Sequence, residues 1–396
     1  MYDWEKIEDI SFEGKTVFVR VDYNVPLDNN CRITDATRIE RSLPTLDLLI
    51  NKGAKLILAS HLGRPKGGKD SSCSLKPVAD YLTHYANEEV PLISDYVEDN
   101  GVGVKKALEN HRIIILENLR FYDGEKKGDD TFAKLLASFA DVYVNDAFGT
   151  AHRAHASISG IPKYIPGYPG LLMRSEIENL SRILDIENKD RPFICLLGGA
   201  KVVDKIPIIN NLLTRADVIM IGGGMAFTFL KAQGLKVGSS LIDENSIDEC
   251  SYLMEKAQKM GIDFVLPMDV IVAPGVTSPH GENVEVDRIP DGMMGLDIGE
   301  ETREVFINIL QNSHTIFWNG PMGVFEEEPF RMGTEMLARA ISGCDAFSVI
   351  GGGDSVALIN ELGLAGEIDH ISTGGGASLE FISGAQLPGI TALLKK

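Results

Sequence analysis

At 396 residues the chain is too long for one ordinary hydrophobic core and suits two domains of similar size. Its 57 acidic residues outnumber 38 Lys plus Arg, and the net charge of −19 argues against nonspecific binding to nucleic acid or to an anionic membrane. Five cysteines, Cys31, Cys73, Cys195, Cys250 and Cys344, form no C-x-x-C pair, which disfavours a disulfide framework or a zinc ribbon and predicts buried thiols in a reducing cytoplasm.

Residues Met1 to Lys6 show neither a basic nor a long apolar signal segment, and nothing approaches the roughly 20 apolar residues of a membrane span. A soluble intracellular protein is expected. The first buried strand is predicted over Thr16–Val21, with Asp22 and Asn24 just beyond it. A helical pattern over Ala36–Lys52 carries Arg38 near its start and stops at Gly53. Further strands are predicted at Leu56–Ser60, followed by His61 and Arg64; at Ile113–Leu116, followed by Arg120; and at Val142–Val144, followed by His152, Arg153 and His155. The Pro/Gly-rich stretch Pro162 to Gly170, the long helical pattern Leu171–Ile186 and the charged segment Glu187–Arg191 predict an interdomain connector.

The second half repeats the rhythm. Strands are predicted at Phe193–Leu197, Val218–Ile221, Phe264–Leu266, Thr315–Trp318 and Phe347–Ile350, and the helices Ile247–Met260 and Ser355–Leu362 stop at Gly261 and Gly363. Alternating strands and helices imply parallel βαβ units, hence two doubly wound α/β domains.

In such sheets ligands sit beyond the carboxyl ends of the strands, and the two halves differ in what they place there. The first half supplies Arg20, Asp22, Asn24, Arg38, His61, Arg64, Arg120, Arg153 and His155, a set suited to a small anion because guanidinium forks match carboxylate and phosphate oxygens. His152 and His155 stand three apart, but no Cys or acid lies at ligand spacing, so hydrogen bonding is a better reading than metal ligation. The second half supplies Gly198-Gly199-Ala200 and the triplets Gly222 to Gly224, Gly351 to Gly353 and Gly374 to Gly376, where backbone N–H groups can approach phosphate. Lys201 and Lys205 are expected one turn apart on a helix face, where phosphate would relieve their repulsion. Asp354 offers a hard oxygen to Mg²⁺ or else caps a helix, and Glu326 could accept from ribose hydroxyls or belong to a solvated acidic run. Neither G-x-G-x-x-G nor G-x-x-x-x-G-K-[ST] occurs, which disfavours dehydrogenases and P-loop kinases.

These segments taken together resemble phosphoglycerate kinases. The resemblance rests on Arg20 to Pro26, Ser60 to Pro65, Glu117 to Phe121, Asn145 to Phe148, Ala151 to Ser157, Gly198 to Lys205, Trp318 to Glu326, Gly351 to Ser355 and Ser372 to Ser378, which span the chain. It implies that Asp22, Asn24, Arg38, His61, Leu62, Gly63, Arg64, Arg120 and Arg153 surround 3-phosphoglycerate or its 1,3-bisphosphate. It further implies nucleotide contacts from Lys205, Gly295, Asn319, Glu326, Gly352, Gly353, Asp354 and Ser355, with Asp354 toward Mg²⁺ and with Arg38, Lys201, Gly352 and Gly375 stabilising the phosphoryl group in flight. Ser355 stands where the family often has Thr, and Tyr23 where it often has Phe or Leu.

The implied architecture is an acid-binding domain over 1–170, a hinge helix and linker over 171–190, a nucleotide domain over 191–376, and a last stretch over 377–396 returning to the first domain. The implied enzyme is a cytoplasmic monomer whose cleft closes for direct transfer between 1,3-bisphosphoglycerate/ADP and 3-phosphoglycerate/ATP. A carboxylate acceptor is already ionised at neutral pH, so this chemistry needs alignment and charge neutralisation but no general base. The alternative is a nucleotide or phosphometabolite sensor on the same fold, which would need the glycines but not the Arg/His rim.

Overall fold

The structure is a computed structural model and describes residues 4–394. Six strands in the first half are β1 (Thr16–Arg20), β2 (Lys55–Ala59), β3 (Leu92–Ile93), β4 (Ile113–Leu116), β5 (Val142–Asn145) and β6 (Gly167–Pro169). They form one parallel sheet in the order β3-β4-β2-β1-β5-β6. Alternate residues feed two cores. Val17, Val19, Leu56, Leu58, Ile113 and Ile115 pack on one face, and Phe18, Ile57, Ile114, Leu116 and Tyr143 on the other. Burial of both faces explains why these strands read as unbroken apolar runs.

The second half contributes β7 (Phe193–Leu197), β8 (Val218–Ile221), β9 (Asp263–Val265), β10 (Asp269–Ala273), β11 (Glu282–Glu285), β12 (Met294–Ile298), β13 (Thr315–Asn319), β14 (Phe347–Gly351) and β15 (His370–Ile371). Six of these make a parallel sheet in the order β15-β14-β13-β7-β8-β9, while β10 pairs antiparallel with β11 and β12 in a separate small sheet. Each large sheet reverses its strand order once, between β1 and β5 in the first and between β7 and β13 in the second. Ligand crevices of doubly wound sheets form at such reversals.

The chain divides into two compact units between Glu178 and Asn179 and again between Ala385 and Gln386. The helix Leu171–Leu184 runs across the first division. Helix Gly376–Ile382 belongs to the second unit, where Asn211 Nδ2 donates to Ile382 O. The return to the first unit therefore begins at Gln386 and not at the expected Ala377. From there Gly389 N donates to Ala151 O at 2.8 Å, and Leu393 is buried in the cluster of Phe18 and Tyr143.

Three other expectations need correction. The helix expected over Ala36–Lys52 is two helices, Thr37–Glu40 and Leu43–Asn51. Pro44 has no N–H to continue the ladder, and Ser42 Oγ takes the Ile39 carbonyl at 2.8 Å. Pro162 to Gly170 is not connector: Gly167–Pro169 is an edge strand beside β5, where proline is tolerated. The strands β3, β6 and β15 lie outside the expected set, because two- and three-residue strands carry no period, and so do the four- and five-residue strands β10, β11 and β12 of the antiparallel sheet. Gly53, Gly261 and Gly363 do close their helices, with φ of 80°, 71° and 70°. Among the described residues no helix is long and apolar enough to cross a membrane.

Because Leu393 fills the first unit from the far end of the chain, Leu393→Ala should destabilise that unit by about 2–5 kcal/mol. Hydrogen exchange should lose protection in β1, β2 and β5, and change less in β7 and β13.

Candidate active site

At the carboxyl end of β1 the first unit buries a cation. Arg20 has no solvent exposure, and its guanidinium is held at three points: Nε donates to Ser157 Oγ at 2.9 Å, Nη1 to Val21 O, and Nη2 to His61 Nδ1 at 3.3 Å. Ser157 Oγ in turn donates to Glu125 Oε1 at 2.6 Å, while Ser157 N donates to Glu125 Oε2 at 2.9 Å. Glu125 is fully buried, and His155 Nδ1 stands 3.7 Å from its Oε1.

Outside this charge chain lie residues that face solvent. Arg38 Nη1 donates to Asp22 Oδ2 at 2.8 Å, and Asp22 Oδ1 lies 3.9 Å from His61 Nδ1. Asn24 Oδ1 accepts from Gly63 N at 2.8 Å, and Gly63 O accepts from Arg120 Nη1 at 2.8 Å. Gly63 sits at φ 63°. Asn118 ties the same loop down by donating to Leu62 O and Cys73 O. Arg120 Nε is buried with no partner, whereas Arg64 and Arg153 are exposed.

The electrostatics follow from crowding cations. Burial, then Arg20, Arg120 and Arg38, push His61 well below its ordinary pKa. Burial, then Arg120, Arg20 and Arg153, bring His155 to about 4. Burial, then Arg153 and Arg20, bring Arg120 to about 10, so it stays charged at neutral pH. The histidines are therefore neutral donors or acceptors among fixed positive charges. Such a cluster favours an anion.

In the second unit the glycines divide into two kinds. Gly198, Gly222, Gly223 and Gly320 are wedged together: Gly199 N donates to Pro321 O, Gly223 N to Met322 O and Met225 N to Gly199 O, each at 2.9 Å. A Cβ on Gly198 or Gly320 would collide with backbone carbonyls, and one on Gly223 would stand 2.7 Å from Gly199 N. The triplet Gly222 to Gly224 thus serves close packing first, contrary to its reading as an open phosphate cradle. By contrast Gly353, Gly375 and Gly376 have open space around them, with Gly352 at φ 92° before helix Gly353–Glu361 and Gly375 at φ 51°.

Asn319, at the strand reversal, joins these parts. Its carbonyl accepts from Gly198 N at 3.0 Å, its Oδ1 accepts from Lys205 Nζ, and its buried Nδ2 has no partner. Its side chain borders Gly351 and Gly352. Ser355 Oγ, fully buried, accepts from Gly320 N at 2.9 Å and so supports the turn after β13. Lys205 is buried and brought down to about 8 chiefly by desolvation, against the pull of Asp204 and Asp354.

Lys201 and Lys205 do not share a helix face. The helix starts at Ile206, so residues 201–205 form a turn that buries Lys205 and exposes Lys201. Asp354 is exposed at the second position of its helix, behind Gly352 as cap, which removes the capping alternative. Glu326 is exposed in a turn. Gly295 is buried on β12 with Phe227 packed where a Cβ would be, and its N–H donates to Ser240 Oγ. Of the cysteines, Cys195 and Cys250 are buried, Cys73 and Cys344 are half-buried and Cys31 is exposed; all five are free thiols.

The sequence reading missed Glu125, Asn118 and Ser157 as members of the charge network. Asn118 and Ser157 lay inside recognised segments. Glu125 had no signal, because Asp123 to Lys127 reads as a solvated charged turn.

Comparison with known proteins bears on this arrangement directly. The family model described as phosphoglycerate kinase matches residues 7–385. The chain belongs to the phosphoglycerate kinase family. It is 48% identical over 392 residues to the phosphoglycerate kinase of Moorella thermoacetica, covering 98% of this chain and 99% of that one. It is 47% identical over 391 residues to that of Pelotomaculum thermopropionicum, covering 98% and 99%. Among solved structures, phosphoglycerate kinase from Coxiella burnetii superposes with a TM-score of 0.87 at 38% identity, and that from Pyrococcus horikoshii OT3 with 0.83 at 36%, each covering 98% of both chains. Membership in the phosphoglycerate kinase family makes the chain an enzyme, a glycolytic phosphotransferase, and no feature of the arrangement favours the non-catalytic alternative.

The two kinds of glycine in this phosphoglycerate kinase fold should separate on substitution. Gly223→Ala is expected to cost roughly 2 kcal/mol or more, since it combines φ 64° with a backbone collision. Gly353→Ala should leave stability within about 1 kcal/mol, because the added methyl meets open space inside a helix. Chemical denaturation of the two variants beside the parent checks both.

Proposed function

We propose that the two sets of residues divide the reaction between them. Asp22, Asn24, Arg38, His61, Leu62, Gly63, Arg64, Arg120 and Arg153 bind 3-phosphoglycerate or 1,3-bisphosphoglycerate. Lys205, Gly295, Asn319, Glu326, Gly352, Gly353, Asp354 and Ser355 bind ATP or ADP. The observation that carries the acid-site reading is the concentration of Arg20, Arg38, Arg120 and Arg153 around neutral histidines, in a chain whose net charge is −19. The meeting of Lys205, the unpartnered Asn319 Nδ2, Gly352 beside it and the open Gly353 supports the nucleotide reading.

In this reading the acceptor is a carboxylate and attacks the γ-phosphoryl of ATP without a base. The carboxylate–phosphorus bond forms as the bond to the ADP oxygen breaks, and the reverse step returns the group to ADP. Arg38 and Lys201 balance the charge of the moving group, with Gly352 and Gly375 offering backbone N–H groups. Arg38 Nη1 donates to Asp22 Oδ2 at 2.8 Å, so a phosphoryl oxygen would share Arg38 with that carboxylate. Both sets of residues must reach one phosphoryl group in the ternary complex, which is the domain closure that the family reading implies.

Mg²⁺ fits this arrangement as a companion of the nucleotide. The exposed carboxylate of Asp354 is one hard ligand, and among the described residues no group of three His, Cys, Asp or Glu could hold a metal alone. Mg²⁺ commonly takes one or two carboxylates and completes its shell with substrate phosphates and water. When bound it would neutralise phosphate charge. A monomer in the cytoplasm completes the reading.

Arg38→Ala should lower kcat by about 10²-fold or more with little change in ATP affinity, as expected for a group acting mainly on the transferred charge. Equal kcat in single-turnover assays of mutant and parent would remove Arg38 from that role.

Lys205 makes a pH prediction. Its folded pKa of about 8 means that the free enzyme loses this charge as pH rises past 8, whereas bound polyphosphate favours the charged form. Nucleotide binding should then take up a proton, and ADP affinity should fall by up to roughly tenfold per pH unit above pH 8. Lys205→Met should bind ADP more weakly and with a flat profile over the same range. Calorimetric titration from pH 7 to 9.5 is the check.

A further inference from the structure

Ser157 and the buried acid Glu125 touch none of the groups exchanged in the reaction. Their geometry gives them a different task. We infer that Glu125, Ser157 and Arg20 form a relay that fixes the tautomer of His61, so that Nδ1 is always an acceptor and Nε2 always carries the proton offered to an anionic ligand. The inference rests on the acid-site reading for the ligand, but the tautomer itself is a property of the free protein.

A guanidinium has only donors. Arg20 Nη2 lies 3.3 Å from His61 Nδ1 within hydrogen-bond geometry, so Nδ1 must accept and cannot carry a proton. The competing arrangement, Nδ1–H toward Asp22 Oδ1, would span 3.9 Å, beyond hydrogen-bond reach. With Nδ1 occupied as acceptor, a neutral ring places its proton on Nε2.

Arg20 can impose this only if its own position is fixed. It is fully buried, and its Nε and Nη1 donate to Ser157 Oγ and Val21 O. Ser157 Oγ accepts from Arg20 Nε and gives its own proton to Glu125 Oε1 at 2.6 Å, so every hydrogen along the relay has a defined direction. Glu125 supplies the counter-charge that a buried guanidinium requires, one hydroxyl away. It acts through Ser157 and Arg20 and does not reach His61, so it is a positioning residue.

The charged groups that face His61 are Arg20, Arg38 and Arg120, with His155 beyond and Asp22 as the facing acid. The cations outnumber the acid and burial adds to their effect, which agrees with a ring that stays neutral well below its ordinary range. A protonated ring would present two donors and oppose Arg20. A neutral Nε2–H tautomer presents a single donor, at Nε2.

The test uses the full chain labelled with ¹⁵N-histidine, and long-range ¹H–¹⁵N correlation, with His61→Gln identifying the His61 signals. The expected result in the free protein is one protonated nitrogen, Nε2, unchanged between pH 8 and 6. A proton on Nδ1, or an imidazolium at pH 6, would overturn the relay. Ser157→Ala should break it, giving a mixture of tautomers and a roughly tenfold rise in KM for 3-phosphoglycerate with KM for ATP unchanged. Ser157→Thr, which keeps the hydroxyl, should restore both. An unchanged tautomer in a folded Ser157→Ala protein would sink the proposal. Addition of 3-phosphoglycerate should shift Nε2; if the tautomer is as expected and Nε2 does not move, the assignment of His61 to the acid site fails, and the relay loses its ligand.

Discussion

Parallel strand pairing is the constraint on which the rest of this molecule depends. In a parallel sheet every strand is entered from the same edge, so the residues after each strand all emerge along one rim. Four of the strands in the first sheet are sequentially separate yet deliver Asp22, His61, Arg120 and His155 to that rim because β1, β2, β4 and β5 are paired in register. The second sheet does the same for Gly198, Asn319 and Gly352 through β7, β13 and β14. Covering both faces of each sheet with helices leaves the rims as the only edges free for chemistry.

Concentrating charge on such a rim has a cost that the structure offsets locally. Arg20 is removed from water, and its neighbours Arg120 and Arg153 add like charge. Glu125 and Asp22 hold this cluster together from two sides, one through a serine hydroxyl and the other through direct contact with Arg38. Neutral histidines fill the space between, which keeps the net local charge positive without adding cations. Such a concentration of fixed positive charge favours an anion.

The second unit concentrates backbone at its rim where the first concentrates side chains. The wedge of Gly198, Gly223 and Gly320 brings three loops to van der Waals contact, which only residues without a Cβ permit. That packing places Asn319 against Gly351 and Gly352, and Lys205 against Asn319. Burying Lys205 lowers its proton affinity, against the pull of Asp204 and Asp354.

Apolar runs, glycine stops and the residues after each strand were legible in the sequence, because buried parallel strands and helix C-termini leave local signatures. The long strands were found within a residue or two: Thr16–Arg20 against Thr16–Val21, and Phe193–Leu197 as expected. The family was legible for the same reason, since its ligand-side segments are contiguous. What tertiary structure alone decided is everything that depends on atoms far apart in the chain. The sequence could not separate the wedged glycines of Gly222 to Gly224 from the open Gly353, Gly375 and Gly376, because a triplet has the same local freedom whether or not another loop lies against it. Nor could it recruit Glu125, 105 positions after Arg20, whose charge matters only because Ser157 bridges the two in the interior. Composition and period determine which segments become strands and which residues follow them; burial and contact determine which of those residues hold the site and which ones meet the ligand.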